Sequence, residues 1–522
     1  MSKTRTVLNK LKANVILFVF TPIMLITPDF LAKIFSEHNQ AALSGKFIIG
    51  LLVFSIFLSF TKKRFAFFIL GIFTIIELIQ FIHLFYYRSL ISSSKLKLLF
   101  IDFDEVWNVA GEAISFLYFV PFLVLIPYGI LFYAFNKLEN QRIKTIWATI
   151  PVILALAIIP YRVNQAYCGV NYYPDPADHS LRNSLYSCTN LALNLAIPNP
   201  KSTVEYIDYQ VEEIKTGTDN DNVNIILIIG EGINSNHMSL FGYNRETSPL
   251  LSSLKTDPNF TYSQGISGGV STTVSMPLLI NGIYEPNNYK ALEDKKSNLF
   301  KLAKQHDFKT FYISAQTGAL LANLSAEFID YTVFRKKAPL LFNRLQDAGL
   351  LEIIPELDYS KNNFIVINQR NAHAPYEGNY QHDSKLNYFP VDSKNYQQFL
   401  IDTYDNAMLY NDYVTYEIID FYRNKFKGPT YIYYTSDHGE ALGPRIYGHS
   451  QVDVEVASIP FMSYIVNGKQ DEIISPVCHY EVNNMVAKAL GFNINNSNIK
   501  PGICYIQGTD LYGINEYMEY KK

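Results

Sequence analysis

NIILIIGEG, residues 224–232, decides the fold. The run is apolar throughout, rich in β-branched residues, and closes on Gly230, Glu231 and Gly232. A strand covered on both faces of a parallel sheet reads this way, where a half-exposed strand would alternate. Its C-terminal end is where open α/β sheets place their ligands, so Glu231 is a carboxylate delivered to a site between two glycines that permit close approach. Outward from it, residues 268–277 read GGVSTTVSMP, a hydroxyl cluster between small residues and Pro277. Residues 431–440 read YIYYTSDHGE, a second strand that discharges Asp437 and His438 side by side. Glu231, a hydroxyl from Ser271 to Ser275, Asp437 and His438 can meet above one sheet edge as an oxygen-rich, one-imidazole site. Such a site suits zinc, which turns a hydroxyl into a nucleophile.

Further strands are expected at 309–313, 363–368, 430–435 and 461–466, with helices at 299–305, 397–423 and 482–490. Alternation of strand and helix implies one doubly wound α/β domain. His373, in NQRNAHAPY, and His449, in YGHS, are two more imidazoles after expected strands. Each group taken alone has a plain reading, an acid facing solvent or a structural histidine. Four acid or imidazole groups at matching ends of four strands point to chemistry instead.

The 48% hydrophobic, 15% aromatic composition of the 522 residues is unevenly spread. Five apolar spans are expected in the first 162 residues, about 13–31, 47–60, 65–87, 114–135 and 145–159, the second and fifth short for a bilayer. Lys3, Arg5, Lys10 and Lys12, then Lys62, Lys63 and Arg64, then Lys137, Arg142 and Lys144 mark cytoplasmic segments, so the chain after Arg162 lies on the far side. A cleaved signal peptide is not expected. Residues 163–222, with several prolines and an amphipathic stretch, read as a linker with a surface helix whose apolar side lies on the bilayer. Residues 223–522 form the exported domain.

Residues 1–162 carry 16 basic against 8 acidic residues and the remainder 28 against 39. An acidic exported domain argues against nucleic acid as a partner. The four cysteines all fall in the exported part, as disulfides in an oxidising compartment would. Proximity in sequence suggests Cys168 with Cys188 and Cys478 with Cys504. Between the third and fourth spans, Asp104, Asn108 and Glu112 recur every four residues and would line one helix face at headgroup depth, either solvated or holding a lipid ammonium.

GEGINSNHMSLFGYNRETSPLL, residues 230–251, resembles the signature of the membrane-anchored phosphoethanolamine transferases, a GE followed by GYxRxTxPxL. The resemblance extends to the hydroxyl cluster before Pro277, the HAP at 373–375, YDNAMLYNDYV from Tyr404, SDHGE and the five-span anchor. It implies a five-helix transmembrane bundle followed by an alkaline phosphatase/sulfatase-like α/β domain. It further implies an enzyme of the bacterial inner membrane, with its catalytic domain in the periplasm. Transfer would run from phosphatidylethanolamine through a phosphothreonine to a lipopolysaccharide acceptor, either a lipid A phosphate or a core sugar.

Carried over by position, the resemblance makes Glu231, Thr272, Asp437 and His438 the ligands of one tightly bound zinc, with Thr272 the nucleophile and Ser271 and Thr273 adjacent alternatives. His373 and His449 would contact the transferring phosphate, protonate a leaving oxygen or bind a second zinc. Asp104, Asn108 and Glu112 would bind substrate, although two of the three differ from the family's residues. A monomer is expected. Gly268 and Leu278 stand where many members have a disulfide around the nucleophile, so packing must hold that loop here. The competing reading is a phosphoglycerol transferase, or a phosphodiesterase or sulfatase-type hydrolase of the same superfamily.

Overall fold

The computed structural model describes residues 2–35, 45–101, 107, 111, 117–139, 145–167, 172, 174, 178–196, 207–214, 222–316, 318–380, 386–392, 394–443, 446–509, 511 and 516–522. Asp104, Asn108, Glu112 and Cys168 lie outside the described residues. The chain divides into two compact units, one of residues 1–202 with 443–447, the other of 203–442 with 448–522.

The first unit is helical. α1 spans Ser2–Phe35, α2 Gly45–Ser59, α3 Lys63–Tyr87, α4 Ser93–Ile101, α5 Val120–Lys137, α6 Thr145–Tyr167 and α7 Ser180–Ala196. Among the described residues four segments are long and apolar enough to cross a membrane: Arg5–Phe35, Lys63–Tyr87, Val120–Lys137 and Thr149–Tyr167. α2, the second expected span, has 15 residues, about 22 Å at a rise of 1.5 Å per residue and so short of a 30 Å hydrocarbon core. α5 starts later than its apolar pattern, because Pro121 favours the first turn of a helix. Val15, Ile49, Phe68, Ile75 and Ile126 face outward, while Leu17, Leu25, Leu70, Phe73 and Leu131 are buried inside the unit. That inversion of the soluble pattern is what lipid as solvent produces.

α7 buries its polar stripe. Ser180, Asn183, Ser184, Ser187 and Asn190 are all buried, and their three- and four-residue spacing puts them on one face. The Ser187 hydroxyl donates to the Ile91 carbonyl at 2.8 Å and the Asn190 amide to the Tyr167 carbonyl at 3.2 Å. At its N-terminus the Ser180 backbone N–H donates to Asp29 Oδ1 at 3.1 Å, and His179 Nε2 lies 2.9 Å from Asp29 Oδ2. A carboxylate on α1 thus caps α7, which satisfies an orphan donor and opposes the helix dipole.

The second unit is built on an eight-stranded sheet: β1 (Asn224–Gly230), β2 (Phe260–Ile266), β3 (Lys309–Ser314), β4 (Tyr331–Val333), β5 (Asn363–Asn368), β6 (Thr430–Ser436), β7 (Ser458–Val466) and β8 (Val477–Cys478). The order is β8-β2-β7-β6-β1-β5-β3-β4, and β7 alone runs against the others. All seven residues of β1 are buried, as the unbroken apolar run requires. β1 is central, with β5 on one side and β6 on the other, so the chain reverses direction around it and leaves a crevice at its C-terminal end. β2 mixes buried and exposed positions without regular alternation, through Ser263, Gln264 and Gly265, and no expected strand covers it. Helices α8 (Thr272–Asn281), α9 (Leu299–Gln305), α10 (Tyr396–Lys425) and α11 (His479–Ala489) complete the frame. The main core joins Ile225, Leu227 and Ile229 to Leu279, Phe300, Phe364, Tyr433 and Val486.

Cys478 and Cys504 form the expected disulfide. It ties β8 to the strand Ile503–Gln507, whose last residue grips the hydroxyl loop: Gln507 N–H donates to the Gly268 carbonyl and Val270 N–H to that of Gln507, both at 3.0 Å. Gly268 approaches Leu278 closely: a Cβ added at Gly268 would lie 3.7 Å from Leu278 Cδ1. The Cys478–Cys504 link closes a separation of 26 residues, for which loop-closure entropy gives about 3.5 kcal/mol. The Cys478→Ser, Cys504→Ser variant is therefore expected to unfold at a lower temperature in a thermal scan, and wild type should fall to the same value under reductant.

Candidate active site

The sheet register explains why the acid and the acid-imidazole pair meet. Gly230 pairs with Ser436 across β1 and β6, so the next residues, Glu231 and Asp437, leave the sheet side by side. β2 runs in the same direction, and its exit loop, residues 267–271, returns to that edge and starts α8 at Thr272. Ligand atoms of Glu231, Asp437 and His438 all lie within 4.8 Å of one another, and all three residues are buried.

Thr272 Oγ1 donates toward the Glu231 carboxylate at 3.1 and 3.2 Å and lies 3.2 Å from His438 Nε2. His438 Nε2 is 3.4 Å from Glu231 Oε1 and 3.3 Å from Asp437 Oδ2. The neighbouring hydroxyls of Ser271 and Thr273 are paired with each other at 3.2 Å, so of the three only Thr272 reaches this centre. His438 Nδ1 donates to the Gly439 carbonyl at 3.0 Å, which leaves Nε2 facing the common point. Asp437 Oδ1 accepts from the N–H groups of Gly232 at 3.1 Å and His438 at 2.7 Å. Its other oxygen, Oδ2, is buried with no hydrogen-bond partner among the described residues.

The electrostatics ask for a cation. Burial, then the charge of Glu231, pushes the Asp437 carboxyl up. Burial opposes the charged form of Glu231 too, but the His438 hydrogen bond and charge, the His373 charge and the Gln316 amide hold it below the usual carboxylate range. Burial disfavours the His438 imidazolium, yet Asp437, Glu231 and Glu440 raise its pKa to about 10. Two buried carboxylates with one orphaned oxygen call for positive charge at the centre. A proton on His438 answers that call partly; a divalent cation at the common point answers it fully. Two carboxylates, an imidazole nitrogen and a hydroxyl also match the donor types and number that zinc takes.

A second cluster, His438, Glu440 and His449, adjoins the first. His449 Nδ1 lies 3.0 Å from Glu440 Oε2, the two imidazole rings stack at 4.4 Å, and the Tyr376 hydroxyl donates to Glu440 Oε1 at 2.9 Å. His373 is outside both clusters; its Nδ1 is 2.6 Å from the Ala374 carbonyl.

Two groups escaped the sequence reading. Gln316, just beyond β3, donates from Nε2 to Glu231 Oε2 at 2.9 Å and to the Gln369 carbonyl at 2.8 Å, which fixes the carboxylate's rotation. A glutamine two residues past a strand carries no motif. Glu440 was legible only as the last letter of SDHGE.

GYNRETSP gains a physical meaning. Arg245 forks onto Asp405 Oδ2 and Asp402 Oδ1, each at 2.7 Å. Asp405, fully buried, also takes the Tyr243 hydroxyl at 3.0 Å and faces His237 Nδ1 at 3.0 Å. The Tyr404 hydroxyl donates to the Gly232 carbonyl at 2.7 Å and accepts from Asn234 N–H at 2.9 Å. The segment after Glu231 is therefore stitched to α10. An Asp405→Ala variant takes this acceptor from Tyr243 and His237 and leaves Arg245 with Asp402 alone, and is expected to lose about 3 kcal/mol, the size typical of breaking a buried ion pair, measurable as a shifted denaturant midpoint.

The sulfatase family profile matches residues 223–492, just over half of the chain. Phosphoethanolamine transferase EptA of Helicobacter pylori is 27% identical over 256 residues, 46% of this chain and 47% of that protein. Phosphoethanolamine transferase EptC of Escherichia coli is 28% identical over 249 residues, 44% of this chain and 41% of that one. The chain thus spans a little under half the length of these curated relatives. The solved integral membrane protein lipooligosaccharide phosphoethanolamine transferase A (EptA) of Neisseria meningitidis is similar in fold, with a TM-score of 0.59 at 18% identity, covering 93% of this chain and 96% of that one.

Proposed function

Since the chain belongs to the sulfatase family, we propose that it is a membrane-anchored phosphoethanolamine transferase that carries the group on Thr272 between a phosphatidylethanolamine donor and a lipopolysaccharide acceptor. The observation that carries this reading is the approach of Thr272 Oγ1 to both Glu231 and His438 at the C-terminal end of β1 and β6. Glu231, Thr272, Asp437 and His438 would hold one zinc ion. Bound there, zinc lowers the pKa of the hydroxyl and offsets charge on the transferring oxygens.

The chain's own groups divide the work. Glu231 accepts the Thr272 hydrogen bond and orients the oxygen. As the Thr272 proton passes to the Glu231 carboxylate it hydrogen-bonds, Oγ attacks phosphorus, the Oγ–P bond forms, and the bond from phosphorus to the diacylglycerol oxygen breaks. His449 or His373 supplies the proton that the departing diacylglycerol oxygen needs. A lipid A phosphate or sugar hydroxyl then attacks the phosphothreonine, the Oγ–P bond breaks and Thr272 takes its proton back from Glu231, while a sugar hydroxyl's proton passes to the imidazole that donated in the first step. The apolar N-terminal helices confine the enzyme to the inner membrane, in one plane with its donor, with residues 223–522 in the periplasm. Asp104, Asn108 and Glu112 are proposed to receive the ethanolamine ammonium.

Purified protein given labelled phosphatidylethanolamine should release diacylglycerol and retain the label. Release only from phosphatidylglycerol would instead make it a phosphoglycerol transferase. Gln316→Leu should weaken zinc affinity by about 10- to 100-fold, as loss of a partner to a ligating carboxylate does, in a chelator-competition titration.

A further inference from the structure

We propose that the first unit carries a site for one anionic glycerophospholipid, set between α2, α6 and α7 and separate from any role in group transfer. An apolar cavity of about 590 Å³ lies there, within the range of roughly 300–1,000 Å³ that holds small ligands. Its walls include Leu51 and Phe54 of α2, Leu156 and Ile159 of α6, and Leu185 of α7, with Lys46, Arg162 and Arg182 among its lining residues. Arg182 is neutralised by Asp178 and lies over the Tyr186 ring. Lys46 and Arg162 are exposed and have no ion-pair partner among the described residues.

The helix directions put those two charges together. Successive crossings run in opposite senses, so the start of α2 and the end of α6 lie at one membrane face. From Lys46 to Phe54 the lining descends about 12 Å, and from Arg162 to Leu156 about 9 Å, at 1.5 Å per residue. The result is an apolar slot with two cations at its upper end that no described residue pairs, complementary to an acyl chain below a negative headgroup. A zwitterionic headgroup brings its own ammonium against the same cations, which is why the occupant is assigned a net negative charge. The slot also has unfilled room at a defined place: a Cβ on Gly50, one of its lining residues, would meet nothing within 4 Å. Phe47, on the same wall, is held by stacking on His179 at 4.8 Å.

The test is the lipid retained by the full-length protein after detergent purification from membranes containing both phosphatidylglycerol and phosphatidylethanolamine, counted by mass spectrometry. Wild type should keep phosphatidylglycerol in preference, and the Lys46→Glu, Arg162→Glu variant should keep at least about tenfold less, the scale set by reversing two basic residues near a membrane surface. Gly50→Leu, which fills the slot without touching a charge, should lose the lipid too while its thermal unfolding stays unchanged; it decides the matter if the double variant does not fold. Retention of phosphatidylethanolamine instead, or phosphatidylglycerol unchanged in the variants, overturns the proposal. Diacylglycerol release is read separately, so either result leaves the transfer reading to its own test.

Discussion

Thr272→Ala is expected to abolish phosphoethanolamine transfer, lowering the rate on the order of 10⁴-fold or more, as removal of a nucleophile does when the rest of the site stays in place. The residue is half of a geometric coincidence that its neighbours do not share. Ser271 and Thr273 bond to each other, whereas the Thr272 hydroxyl reaches a carboxylate held by Gln316 and an imidazole held by the Gly439 carbonyl. The variant should retain metal, because Glu231, Asp437 and His438 remain, and should unfold at the wild-type temperature. Ser271→Ala and Thr273→Ala should each leave most activity. If Ser271→Ala were the inactive one, the assignment would move one residue.

Removal of the metal is the second large effect. Dialysis against a strong chelator should bring transfer to background, and stoichiometric zinc should restore it. The same treatment should cost stability, because it leaves two carboxylates, buried and 2% exposed or less, facing each other with only the His438 proton between them. A Glu231→Gln variant should lose zinc but tolerate its loss better, since the amide removes one of the two charges. Chelation that left both activity and unfolding temperature unchanged would mean that His438 alone supplies the positive charge.

Much of this was legible in order along the chain. NIILII could only be a strand buried on both faces, and its register with YIYYTS follows from two apolar runs that each end in an acid. What placed the hydroxyl was harder to see. β2 has no regular alternation and runs through polar residues and Gly265, so its pattern is weak, yet its direction in the sheet brings Thr272 to the edge where Glu231 and Asp437 leave it. Gln316, Glu440 and the Arg245 fork depend on contacts 64 to 160 residues apart in sequence, and local pattern carries no such information. α7 shows the limit from the other side. Its amphipathicity was plain, but its serines and asparagines turn inward to satisfy backbone carbonyls, and periodicity alone does not tell which face is buried. The Cys478–Cys504 pairing was found by proximity; its link to the hydroxyl loop through Gln507 needed the structure.

The central claim is that one threonine carries the transferring group. Protein incubated with phosphatidylethanolamine in the absence of acceptor, then digested and sequenced by tandem mass spectrometry, should carry phosphoethanolamine on Thr272 and lose it when acceptor is added. Diacylglycerol release with the modification on another residue, or with no modified residue at all, would contradict the account.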